Sequence, residues 1–277
     1  MKIGIIGLGN MGSALLRGII NCGICSPADI SASDPRLPEQ ANNPEYGGIR
    51  TGKDNAAAVR GSDLVILAVK PQAVKTVAAS IAHEVGDQLF VSIIAGLSIA
   101  GLEEKLGSKA RIIRAMPNTP VLIQQGVTAL ARNKKVSVQD LALIEDIFGR
   151  LGEVVEVEEK LMDAVTALSG SGPAYVYVLI EALADGGVLA GLPRNLALQL
   201  AALTVQGATA MLELGKHPGE LKDMVASPAG TTIAGLAVLE AKGFRSALIE
   251  AVRAAAVRAR ELSDADKEEG AEGRPVL

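Results

Sequence analysis

Apolar positions along the chain fall into two textures. The first half carries short runs rich in Val, Ile and Leu at Lys2–Ile6, Asp29–Ala32, Leu64–Ala68, Leu89–Ile93 and Arg111–Ala115. None alternates with polar residues, which is the mark of strands covered on both faces, as in a parallel sheet. Helical spacing predicts helices near Met11–Ile20, Asp54–Val59, Ala73–Ile81 and Ser98–Leu106. Strand–helix alternation of this kind specifies an α/β architecture with a doubly wound sheet. Val127–Leu130 and Val154–Val157 read as further strands flanking a helix capped by Ser137.

From Leu161 onward the pattern holds no strand, and Pro173–Ala190, Arg194–Leu214, Thr231–Lys242 and Phe244–Ala265 read as helices. The domain boundary falls at Glu158-Glu159-Lys160, giving 1–159 and 160–277. Two of these helices are apolar nearly all the way round, and a helix without a polar face must be covered on all sides. A bundle this small cannot cover both from within, so an intertwined homodimer is expected. Asn195–Leu212 is uncharged and imitates a membrane span, but Asn195, Gln199, Thr204, Gln206 and Thr209 dilute it. It is read as a buried helix at a subunit interface, with no membrane partner. The charged tail Asp264–Leu277 is expected to be loose.

Composition narrows the function. With 49% hydrophobic and 21% charged residues the 277-residue chain is globular. A net charge of −4, no Lys/Arg-rich run and 2% aromatics argue against nucleic acid as a partner. The two His and two Cys cannot easily furnish a zinc site, and no metal is expected. The Cys22-Gly23-Ile24-Cys25 spacing has no further ligand or redox context behind it. Few cysteines and no signal-like leader fit a cytoplasmic setting.

Gly7-Leu8-Gly9-Asn10-Met11-Gly12 follows the first strand and opens the first helix. This is G-x-G-x-x-G in the context a dinucleotide needs: Gly7 for the turn, Gly9 for approach of the pyrophosphate and Gly12 for helix–strand packing. At the end of the second strand, Ser33-Asp34-Pro35-Arg36 should meet the adenosine ribose. An acid there favours the 2′-hydroxyl of NAD and an arginine the 2′-phosphate of NADP, so Asp34 and Arg36 leave the coenzyme open between NADPH and NADH. Asn55 is a further coenzyme candidate, as are the strand-end segment Ala68-Val69-Lys70-Pro71, Ala95 and Asn118 in Met116-Pro117-Asn118-Thr119-Pro120.

In the second half, Ser227-Pro228-Ala229-Gly230-Thr231-Thr232 leads directly into a helix. The Thr pair can cap it, and its first-turn N–H groups can take an anion. A plain N-cap and a second anion site, sized for a carboxylate, are equally good readings.

Ser227–Glu240, Leu168–Tyr175 (Leu-Ser-Gly-Ser-Gly-Pro-Ala-Tyr) and Ala184-Asp185-Gly186-Gly187 resemble the pyrroline-5-carboxylate reductase family. So do the glycine fingerprint, Ala68–Pro71 and Asn118-Thr119-Pro120, in the right order along nearly the whole chain. Ala229 departs from it, since the family usually carries a glycine there. The resemblance implies an N-terminal Rossmann-type sheet and an all-α dimerisation domain, dimers that assemble into rings in some members, and a shared active site. It also implies NAD(P)H-dependent reduction of L-1-pyrroline-5-carboxylate, a cyclic imine, to L-proline in amino-acid biosynthesis. Ser227, Gly230, Thr231 and Thr232 would then hold the substrate carboxylate, and Thr232 would orient the ring nitrogen as the catalytic residue. His217, Tyr175, Tyr177, Ser169 and Ser171 are read as structural. The rival readings are another NAD(P)H-dependent imine reductase, a 3-hydroxyacid dehydrogenase, or a coenzyme-binding protein without turnover.

Overall fold

A computed structural model describes residues 1–37, 40–41 and 48–272. Its strands are β1 (Ile3–Ile6), β2 (Ile30–Ser33), β3 (Gln40–Ala41), β4 (Arg50–Gly52), β5 (Leu64–Leu67), β6 (Leu89–Ser92), β7 (Arg111–Met116), β8 (Gly126–Arg132) and β9 (Gly152–Glu156). They form one sheet in the order β3-β4-β2-β1-β5-β6-β7-β8-β9. The centre is parallel, while β3 runs antiparallel to β4 and β8 to β7. The chain passes from β1 to β2 on one side, then to β5 on the other, so the switch point lies at β1.

Helices α1 (Asn10–Asn21), α2 (Asn55–Val59), α3 (Val74–Ile81), α4 (Ile99–Leu106) and α5 (Val138–Gly149) accompany these strands. Period 2 sorts the strand residues onto two cores. Ile3, Ile5, Leu64 and Ile66 join α1 and α5 on one face, and Ile6, Val65, Leu67 and Phe90 join α2, α3 and α4 on the other. Both faces are apolar because both are covered. Ser137 caps α5 in a reciprocal capping box with Asp140.

The helical part comprises α6 (Met162–Val165), a π-helical turn at Thr166–Gly170, α7 (Gly172–Leu189), α8 (Arg194–Ala210), α9 (Pro218–Val225), α10 (Thr231–Ala241) and α11 (Phe244–Glu272). The chain divides into two compact units, 1–171 with 254–277, and 172–253.

Four expectations need correction. β3 and β4 are too short and polar to show as apolar runs. α9 lies where a connection was expected; Pro218 at its first turn has no N–H to waste there, and His217 Nδ1 caps it by accepting from Gly219 N at 3.1 Å. The Thr231–Thr232 pair does not cap α10, because Gly230 holds the N-cap position without a side-chain bond. The tail is helical through Glu272, since Ala, Glu and Lys continue a helix whatever its charge; 273–277 lie outside the described residues.

Among the described residues the second unit buries little, with Ala184, Ala197 and Ala201 forming its buried apolar cluster. Leu196, Leu200, Leu203, Ile233 and Val238 stand exposed. Arg194–Leu214 is long and apolar enough to cross a membrane by length and composition. Contiguous apolar surface of this extent calls for a covering partner.

Candidate functional site

At the carboxyl ends of β1, β2 and β5 lies a cleft of about 550 Å³ lined by Gly7, Gly9, Ser33, Asp34, Arg36, Lys53, Asn55, Ala68, Val69 and Lys70, among others. It occupies the switch point, where open α/β sheets bind ligands. The glycines carry distinct loads. Gly7 has φ +96°, and a Cβ on Gly12 would stand 2.1 Å from the Gly7 carbonyl oxygen. A Cβ on Gly9 would meet nothing within 4 Å, so the loop faces open space. Helix α1 starts at Gly9 with no side-chain cap and no acid in its first turn, leaving its N–H groups to a phosphate.

The remaining candidates divide. Leu8 packs into the core and its N–H is spent on Asp34 Oδ2 at 2.9 Å. Asn55 Oδ1 accepts from Ser33 Oγ at 2.7 Å, fixing both on the cleft wall, while its Nδ2 donates to Ser80 Oγ. Lys70 is exposed at the rim, followed by Pro71 in a 3-10 turn. Asn10 is exposed and Met11 half-buried at the start of α1. Ala95 and Asn118 do not line this cleft. Ala95 packs against the core. Asn118 is a buried bracket: its Oδ1 accepts from Val127 N at 2.9 Å and its Nδ2 donates to the Ser169 carbonyl at 3.2 Å. Lys53, absent from the sequence reading, reaches the cleft through β4, which no apolar run announces.

Asp34 and Arg36, rivals in the sequence, are partners in the structure. The Arg36 Nε and Nη2 donate to the two Asp34 oxygens, each at 2.8 Å. These bonds, helped by the N–H groups of Arg36 and Leu8 and opposed by burial, hold the Asp34 carboxyl down from 3.8 to about 2. A depressed carboxylate stabilises the fold above its unfolded pKa, and that stability is lost as pH falls through the folded value. The contribution is about 1–2 kcal/mol, trimmed by exposure of Arg36. Asp34→Asn is therefore expected to cost about this much in urea unfolding at about pH 6, and the gap to wild type to narrow below about pH 4.

In the second unit, Ala229 adopts φ +57°, Gly230 N donates to the Ser227 carbonyl at 3.1 Å, and α10 begins. A Cβ on Gly230 would meet Ser227 Oγ at 2.2 Å, which places that hydroxyl over the helix start. The Gly230 N–H is thus spent in the turn, leaving the N–H groups of Thr231 and Thr232, with no acid in the first turn. Thr232 is half-buried; Ser227 and Thr231 are exposed.

A glycine-walled cleft with open helix amides at the switch point of a doubly wound sheet defines the Rossmann class of dinucleotide-binding proteins. Residues 159–262 match the family model "Pyrroline-5-carboxylate reductase dimerisation", and 2–96 match "NADP oxidoreductase coenzyme F420-dependent". The pyrroline-5-carboxylate reductase of Methanosarcina acetivorans is 48% identical over 263 residues, covering 94% of this chain and 97% of that protein. Human pyrroline-5-carboxylate reductase 2 is 44% identical, covering 97% of this chain and 86% of that one. The crystal structure of Plasmodium falciparum pyrroline carboxylate reductase with NADP bound superposes with a TM-score of 0.88 at 37% identity, covering 95% of this chain and 98% of that one. The chain belongs to the pyrroline-5-carboxylate reductase family.

Proposed function

We propose that the protein reduces L-1-pyrroline-5-carboxylate to L-proline with NADPH, residues 1–159 serving the coenzyme and 160–277 dimerisation and substrate. The observation that carries this is the uncapped start of α10, where the Ser227 hydroxyl lies over the first turn and no side chain or acid occupies the N–H groups of Thr231 and Thr232. The whole-length likeness to reductases of this substrate supports it.

NADPH, held by the Gly7–Gly12 loop, Ser33 and Asn55, would supply hydride to the imine carbon; the rest falls to the chain. Ser227 Oγ and the N–H groups of Thr231 and Thr232 hold the substrate carboxylate. The Thr232 hydroxyl orients the ring nitrogen. A protonated C=N accepts hydride far better than a neutral one, but a hydroxyl is a poor acid at neutral pH. Thr232 accordingly positions the iminium and does not protonate it. Holding both reactants in place supplies several kcal/mol of barrier lowering.

Loss of NADPH absorbance on adding the cyclic imine, with hydroxyacids as controls, tests the reading. Thr232→Ala should cut kcat about tenfold, the loss of one oriented hydrogen bond, with NADPH Kd held. Equal kcat would remove Thr232 from the chemistry.

Ala229 adds a constraint. A side chain in the left-handed region costs about 1–2 kcal/mol, whereas glycine there forfeits about 0.5–1 kcal/mol of chain entropy. Ala229→Gly should leave the thermal midpoint unchanged or raise it by a few degrees, about 0–5 °C. Ala229→Val, β-branched and further from that region, should raise the imine KM several-fold.

The bare apolar side chains of α8 and α10 are the surface we assign to the homodimer, and we extend this reading to rings of dimers. A net charge of −4 supports the absence of a nucleic-acid partner, and two free thiols support a cytoplasmic setting.

A further inference from the structure

We propose that Lys53, with Arg36 held in place by Asp34, selects NADPH by binding its 2′-phosphate, and that Asp34 is a latch for Arg36 and no acceptor for the ribose of NADH. This rests on the coenzyme reading of the cleft above.

The first argument is saturation. A carboxylate offers about four lone-pair sites. Asp34 receives four donors: Arg36 N at 3.0 Å and Arg36 Nε at 2.8 Å on Oδ1, Leu8 N at 2.9 Å and Arg36 Nη2 at 2.8 Å on Oδ2. Its side chain is 6% exposed. A ribose hydroxyl finds no site left on it. The same guanidinium donates to the Leu8 carbonyl at 2.9 Å, so the pair also clamps the glycine loop. Arg36 itself remains 69% exposed at the cleft edge.

The second argument is placement. Ser33 pairs with Gly52 across β2 and β4, and Asp34 N donates to the Gly52 carbonyl at 3.0 Å. Lys53 is the next residue. The ends of β2 and β4 therefore bring Lys53 beside the Ser33–Arg36 turn, where the adenosine ribose of a dinucleotide lies.

The third is charge. Among the described cleft-lining residues, Arg36, Lys53 and Lys70 face one acid, Asp34, which Arg36 already neutralises. A cleft left with this surplus favours a ligand carrying an extra phosphate.

The decisive measurement is binding of two fragments, adenosine 2′,5′-bisphosphate and AMP, by calorimetry on the intact protein, alongside kcat/KM with NADPH and NADH. Wild type should prefer the bisphosphate, and Lys53→Ala should cut that preference about tenfold, as loss of one charge-assisted bond does. Arg36→Ala should do likewise. Asp34→Asn gives opposite signs for the two roles. As a latch, its loss lowers the bisphosphate preference because Arg36 is untethered. As a ribose acceptor, its loss raises that preference by removing repulsion. A raised preference, or Lys53→Ala weakening both fragments equally, overturns the proposal. Gly9→Val tests the underlying reading separately: unchanged NADPH affinity there would remove the coenzyme from this cleft altogether.

Discussion

Gly12→Ala should abolish measurable NADPH binding and destabilise the fold, whereas Gly9→Ala should weaken binding alone. Both residues belong to the same hexapeptide, and the structure separates their work. A methyl on Gly12 would come within 2.1 Å of the Gly7 carbonyl oxygen and 3.1 Å of Ala68 Cβ. The obstacle is backbone, so α1 must move off the β1 turn. That helix is anchored by Leu15, Leu16 and Ile19, each at most 1% exposed. Overpacking at such a contact costs about 1–3 kcal/mol or more. The shift also displaces the open N–H groups that a pyrophosphate would use. A Cβ on Gly9 has no neighbour within 4 Å and projects into free space beside the cleft. It costs the fold almost nothing but intrudes where the pyrophosphate must approach. Urea unfolding and NADPH fluorescence titration of the two variants read this contrast. A Gly12→Ala protein with native stability and native affinity would contradict the packing argument.

The fingerprint was readable because its requirements are local: a strand, three glycines and a helix in one short stretch. The central strands were readable for a similar reason, since residues such as Val65 and Ile66 are buried on opposite faces and leave an unbroken apolar run. β4 has no such run, being Arg50-Thr51-Gly52, and with it the position of Lys53 stayed hidden. The Asp34–Arg36 pair was visible as two residues but not as one ion pair, because composition carries no side-chain direction. Asn118 shows the same limit from the other side: a polar residue in a conspicuous loop whose amide is engaged by Val127 and Ser169. Glycine can end a helix frame as well as Thr, so Gly230 displaced the expected Thr cap. Over-apolar helices announced a partner correctly, because α8 has little of its surface covered by its own chain.

Arg114 is the last residue that sequence alone could not have singled out, and its removal should cost about 2–4 kcal/mol. It lies on β7, 3% exposed, with Nη1 3.6 Å from Glu159 and Nη2 3.6 Å from Asp163. Its Nε and Nη2 find no hydrogen-bond partner, so the cation is held by charge more than by bonds. The two acids have further duties. Glu159 Oε1 accepts from Ile99 N at 2.5 Å, at the start of α4, and Asp163 Oδ1 accepts from Ser263 Oγ at 3.5 Å, on α11. Arg114 thereby ties β7 to α4, α6 and the Leu262–Ser263 stretch of α11, where Gly96 approaches Leu262 so closely that a Cβ would stand 2.7 Å from it. Arg114→Met removes the only cation of this cluster among the described residues and leaves both acids without their counter-charge. Their side-chain exposures, 35% for Glu159 and 21% for Asp163, let water recover part of the loss, which keeps the figure below a fully buried pair. For a domain of this size the melting temperature should fall by about 5–10 °C. Adding Glu159→Gln and Asp163→Asn removes the stranded charges and should restore most of it, since apolar or neutral replacement of a whole buried cluster is often tolerated. A single Arg114→Met variant as stable as wild type would show that the acids need no counter-charge. A triple variant no better than the single would show that packing, and not charge, is what Arg114 supplies.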